Sequence, residues 1–90
     1  MIILKTENAY LNLDKFDKMI DEGKGMYDPG DGCYRQLCRG IIIVNGEKGY
    51  VYTNTESQMY EKFESLLEII MKTPANKNIV IDWEGISCSI

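Results

Sequence analysis

The sequence predicts an α+β fold of two layers: an antiparallel sheet of four or five strands packed against one main helix, with a second, short N-terminal helix. Three observations carry this. Residues 56–72 repeat apolar side chains at the helical period. Residues 33–44 and 50–53 are rich in β-branched and aromatic residues on both sides of Asn45-Gly46-Glu47-Lys48-Gly49, a hairpin signal. After the helix, Ile79, Ile81 and Trp83 alternate toward one face. A chain of 90 residues buries roughly 60 to 65% of its unfolded surface, enough for one core, so 1–90 reads as a single domain.

Taken in order, residues 2–5 and 10–13 are β-prone runs around the turn Thr6-Glu7-Asn8-Ala9. In residues 12–23, Leu13, Phe16 and Ile20 are spaced i, i+3, i+7. This predicts the short helix, capped by Asn12 or Asp14 and ended by Gly23. Residues 23–32 hold four of the eight glycines and one of the two prolines and read as a long loop. Gly40 marks a bulge or bend in the strand that follows. Thr55-Glu56-Ser57-Gln58 is a capping box, and Met59, Phe63, Leu66, Leu67 and Ile70 then line a helix that Thr73-Pro74 stops. Gly85 interrupts the last β-prone run before Ile86-Ser87-Cys88-Ser89-Ile90 resumes it, as a tight hairpin or one bulged strand. The expected core includes Ile43, Val51, Phe63, Leu67, Ile70, Ile81 and Trp83.

Composition excludes more functions than it suggests. Fourteen acids against ten bases give a net charge of -4, which repels nucleic acid and anionic membranes and favours basic protein surfaces as partners. With no histidine, Ser-His and Cys-His nucleophile pairs, imidazole bases and His-containing metal sites are all absent. Cys33, Cys38 and Cys88 lack the spacing of a zinc site or a disulfide scaffold and read as reduced thiols, so no metal or cofactor is expected. No apolar run exceeds four residues, as in 41–44, far short of the roughly 20 residues that span a bilayer, so a cytoplasmic location is expected. Asp82 and Glu84 share a strand face, yet nothing in the sequence orients them as acid and base, and an enzyme is not expected.

The candidate site is acidic. Glu61, Glu64 and Glu68 are spaced i, i+3, i+7 on the main helix, opposite the Phe63, Leu67 and Ile70 side, and form one solvent-facing carboxylate stripe. Such a stripe is either an ordinary solvated face or a strip that meets Lys and Arg of a partner. Asp28 and Asp31 in the glycine-rich segment form a second acidic group, without the Asp-x-Asp-x-Asp-Gly spacing of a calcium loop. Tyr50 and Tyr52 share a strand face and make an aromatic patch if that face is turned from the helix. Arg35, Arg39 and Lys48 are the only basic cluster, small for a nucleic-acid footprint and sufficient for a small anion.

Ile42-Ile43-Val44-Asn45, Tyr50-Val51 and Glu61-Lys62-Phe63 resemble segments of small phage-encoded anti-CRISPR proteins that inhibit a type II effector nuclease. Those inhibitors are acidic chains of similar length with an Ile-Ile-x-Val-Asn strand, a Tyr-Val return strand and a Glu-Lys-Phe helix. The resemblance covers residues 40–63. It implies a CRISPR effector nuclease as partner and inhibition by acidic mimicry of DNA on its basic groove, inside the bacterial host cell. Only the acidic character of the helix carries over to this chain. The alternatives are a module that sequesters a small ligand or nucleotide with residues 23–32, Arg35 and Arg39, or a regulatory domain.

Overall fold

The computed structural model describes residues 1–7 and 9–86. In order these form β1 (Ile2–Lys5), β2 (Tyr10–Asn12), a 3-10 turn (Leu13–Lys15), β3 (Phe16–Tyr27), β4 (Arg35–Val44), β5 (Glu47–Thr53), α1 (Glu56–Lys72), β6 (Ile79–Asp82) and a second 3-10 turn (Trp83–Gly85). The class is α+β, but the expected single antiparallel sheet of four or five strands is replaced by two three-stranded sheets, ordered β2-β1-β6 and β3-β4-β5. The first sheet is mixed, since β1 runs antiparallel to β2 and parallel to β6.

The expected N-terminal helix is also overturned. Phe16–Tyr27 is a twelve-residue strand antiparallel to β4. Its ladder shifts register between Phe16 and Lys18 and again between Asp21 and Gly23. The first bulge sets the two core-packed residues Phe16 and Met19 three apart instead of two, which imitates a helical period. The second uses Gly23 at φ 78, its N–H held by Asp21 Oδ1 at 2.8 Å. The expected loop thus begins only after Tyr27.

Elsewhere the local chemistry acts as anticipated. The β4–β5 hairpin turns on Asn45 and Gly46, both at positive φ (50 and 81), as a primed two-residue turn requires. Helix α1 starts on its capping box: Thr55 Oγ1 accepts the Gln58 N–H at 3.2 Å, and Gln58 Oε1 accepts the Thr55 N–H at 3.2 Å. Its last turn is closed by the Thr73 N–H on the Ile69 carbonyl at 3.0 Å, one residue before Pro74. Strand β6 ends at Asp82; Gly85 closes a 3-10 turn and Ile86 is buried, while the expected continuation through 87–90, with Cys88, lies outside the described residues.

One core joins the layers. It takes Ile2 and Leu4 from β1, Leu11 from β2, Cys38, Ile42 and Val44 from β4, Val51 from β5, Met59 and Leu66 from α1, and Trp83. Complete burial of Met59 and Leu66 stabilises by about 1.5 to 3 kcal/mol each. The bulge expected at Gly40 lies in the partner strand, between Asp21 and Gly23 opposite Gly40 and Arg39; Gly40 itself lets Phe63 and Met59 lie on the strand, as Gly49 does for Leu11. Ile43, Val51 and Trp83 are buried as expected, and Phe63, Ile70 and Ile81 pack half-buried against the core. Leu67 is 39% exposed and belongs to the outer face of the helix.

Candidate functional site

The orientation of α1 follows from which residues it buries. Met59, Lys62 and Leu66, at i, i+3, i+7, face the interior with Phe63 and Ile70 beside them. One flank, about 100° round the helix from Met59, presents Tyr60, Leu67 and Met71, spaced i, i+7, i+11 along one line and 65, 39 and 83% exposed. Glu64 and Glu68 are exposed beside this line, and Glu61 is half-buried. The predicted stripe is thus brought together, next to an apolar line that the expected core placement of Leu67 concealed. The Glu64 carboxylate accepts the Tyr60 hydroxyl and raises that phenol's pKa. Lys72 donates to Glu68 Oε1 at 2.5 Å and holds the carboxyl below its ordinary range.

Asp28 and Asp31 occupy a different element, the β3–β4 connection, and use their oxygens locally. Asp28 Oδ1 accepts the N–H groups of Gly30 and Gly32 at 2.9 and 3.1 Å. Asp31 accepts the Cys33 N–H at 3.0 Å and Arg35 Nη1 at 2.7 Å, and the guanidinium lowers its pKa. Cys38 lies fully buried in β4, where desolvation raises its thiol pKa, and Cys33 is exposed. Among the described residues, no group of three or more acid or thiol side chains gathers as a metal site, and no helix is long and apolar enough to cross a membrane.

Comparison adds no relative: neither a scan against protein-family models nor searches of curated proteins and of solved structures returns a match. The geometry of the chain itself therefore carries the functional reading.

Two further features bear on it. The face of β3-β4-β5 turned from the core carries Tyr50 and Tyr52, because Gly49, Val51 and Thr53 point inward. There the Arg39 guanidinium lies 4.4 Å from the Tyr27 ring centre and 4.8 Å from that of Tyr50, while its Nε donates to Glu22 Oε1 at 2.5 Å. The second feature is Lys62, which sequence reasoning missed. It is only 9% exposed; its Nζ donates to the Trp83 carbonyl at 2.9 Å and lies 5.3 Å from the indole centre. The signal was its position midway along the Met59–Leu66 stripe. Lys62 and Arg35 line a cleft of about 250 Å³ together with Glu7 and Glu84, so neither sign of charge prevails there.

Proposed function

We propose that the protein is a non-catalytic inhibitor that docks the outer face of α1 on a basic surface of a nucleic-acid-handling protein. The resemblance of residues 40–63 points to a type II CRISPR effector nuclease as the target class and to acidic mimicry of DNA as the mode. The observation that carries the reading is the exposed line Tyr60, Leu67, Met71 running beside Glu61, Glu64 and Glu68. Apolar anchors bordered by charge divide the work of an interface: the anchors hold the complex, and the rim speeds its formation and rejects acidic partners. The Lys72 pairing of Glu68 is no obstacle, since an exposed i, i+4 ion pair is weak enough to exchange for a partner's cation. Asp28 and Asp31, occupied within their own loop, act as a second acidic group at longer range.

The test is complex formation with a purified, guide-loaded type II effector nuclease, read by size exclusion and by DNA cleavage. Wild type should co-migrate and suppress cleavage. The triple change Glu61→Gln, Glu64→Gln, Glu68→Gln should weaken both by an amount that shrinks as salt rises, and Leu67→Ser with Met71→Ser should weaken both at every salt concentration. Both variants should melt near wild type, because the changed side chains are outside the core. Failure of wild type to bind at low salt would remove this target class; binding indifferent to both variants would return the helix face to ordinary solvated surface.

A further inference from the structure

The outer face of β3-β4-β5 has a charge opposite to that of the rest of the molecule. Register places Lys18, Ile43 and Lys48 in one row across the sheet and Ile20, Ile41 and Tyr50 in the next. Arg39 and Glu22 follow, then Arg35 with its partner Asp31. Lys18, Arg35, Arg39 and Lys48 against Asp17, Glu22 and Asp31 leave +1 on this face, so the remaining six bases and eleven acids give -5. Arg35 and Arg39 are neutralised by their own carboxylates, whereas Lys18 and Lys48 are exposed and form no ion pair among the described residues. Asp17, the extra residue of the first bulge, is exposed beside Lys18, and no carboxylate pairs in the second row. In these rows Ile41 and Ile43 of the central strand are buried, 7 and 8% exposed, while Lys18, Ile20, Lys48 and Tyr50 at the row ends are exposed.

From this we infer that the open sheet face is a docking surface for α1 of a second copy of the chain, in a head-to-tail contact. Dimensions and chemistry both match. A helix of 17 residues is about 25 Å long and 10 Å wide, and three strands at 4.8 Å spacing present a trough of about that width along the 10 residues of β4. The sheet already receives α1 of its own chain on the inner face; the outer face offers Ile20 and Tyr50, 39 and 42% exposed, to the Tyr60–Leu67–Met71 line of the neighbour. Lys18 and Lys48 stand on either side of the trough, and the one on the carboxylate side of the seated helix meets Glu64 and Glu68. An acidic segment of another protein fits the lysines but lacks an apolar line to match Ile20 and Tyr50. A single-stranded nucleic acid is disfavoured because Arg39 already covers the Tyr27 and Tyr50 rings and the chain as a whole is acidic. The surfaces joined are different, so the contact is heterologous and propagates into rings or short filaments. It uses the helix face of the proposed function but does not depend on any outside target.

Sedimentation velocity of the purified protein from micromolar to millimolar concentration, at low and high salt, tests this. Wild type should associate at low salt and dissociate as salt rises. Lys18→Glu with Lys48→Glu sets acid against acid, and Glu64→Lys with Glu68→Lys sets base against base; each double variant alone should lose about tenfold or more in association constant. An equimolar mixture of the two restores opposite charges at every contact and should associate again. Recovery on mixing also shows that both variants are folded. Wild type that stays monomeric at low salt overturns the inference, as does association that neither variant alters. Tighter binding of a poly-glutamate peptide or of an oligothymidylate than of a second copy would overturn it too, assigning the face to an acidic protein or a nucleic acid.

Discussion

Gly40 sits in the middle of β4, where a side chain would normally add to the sheet, yet the space above it belongs to the helix. A Cβ built there would stand 2.6 Å from the Phe63 ring and 2.9 Å from the Met59 sulfur. Both neighbours are held by the core, and overpacking of this kind costs about 1 to 3 kcal/mol. The opposing gain, a less flexible unfolded chain with alanine, is about 0.4 to 1 kcal/mol. The clash therefore wins: Gly40→Ala should lower stability by about 1 to 2 kcal/mol in urea unfolding, and by less in a Phe63→Leu background that vacates the ring. A Gly40→Ala protein more stable than its parent would show that the helix is not seated on β4 as described. Lys62 makes the complementary point about charge. Its stem replaces a hydrophobe on the buried stripe while its ammonium finds a carbonyl and an aromatic face, so a residue that sequence patterning assigns to solvent helps to fix Trp83 instead.

At the scale of elements, what was legible depended on whether local signals and tertiary pairing agreed. In α1 they agree. The capping box, the apolar period and Thr73-Pro74 delimit Glu56–Lys72 as expected, and the Asn45-Gly46 hairpin is equally direct. In β3 they conflict. Leu13, Phe16 and Ile20 have helical spacing, but Leu13 belongs to a 3-10 turn, Phe16 packs on the core and Ile20 points to the opposite face of the sheet. The bulge after Phe16 sets Phe16 and Met19 on one face three residues apart, and a bulge is not visible until the partner strand is known. The same applies to the candidate site: Glu61, Glu64 and Glu68 were legible from helix spacing, whereas the apolar line beside them depended on the helix's rotation, which Lys62 and Leu66 set. The bulge also makes a prediction. Gly23 at φ 78 has nothing within 4 Å of its built Cβ, so the cost of a side chain there is conformational only. Gly23→Ala should destabilise by about 1 kcal/mol, and Gly23→Asn by less, since asparagine tolerates the left-handed region. Equal stability of all three in urea unfolding would mean that β3 takes another register in solution.

For the whole molecule, the question is whether two small sheets behave as one body. The β2-β1-β6 sheet has short strands and would be marginal alone. Trp83, the single tryptophan, lies at the seam and is 2% exposed. It follows directly from β6 of one sheet, and its indole Nε1 donates to the Tyr52 carbonyl on β5 of the other at 3.0 Å. Its ring meets Phe63 of α1 edge-on at 5.9 Å, and its carbonyl accepts from Lys62. Opening either sheet from the other would therefore expose the indole and strand a buried carbonyl, which couples the layers energetically. The expected result is a blue-shifted tryptophan emission whose red shift in urea coincides with the loss of far-UV circular dichroism, as a two-state transition requires. Trp83→Phe keeps an aromatic ring but leaves the Tyr52 carbonyl without this donor; it should cost about 1 to 3 kcal/mol plus the volume lost, with the dichroism transition still single. Emission that shifts at lower urea than the dichroism would show the β2-β1-β6 layer parting first, with the Trp83 contacts too weak to join the two sheets into one cooperative unit.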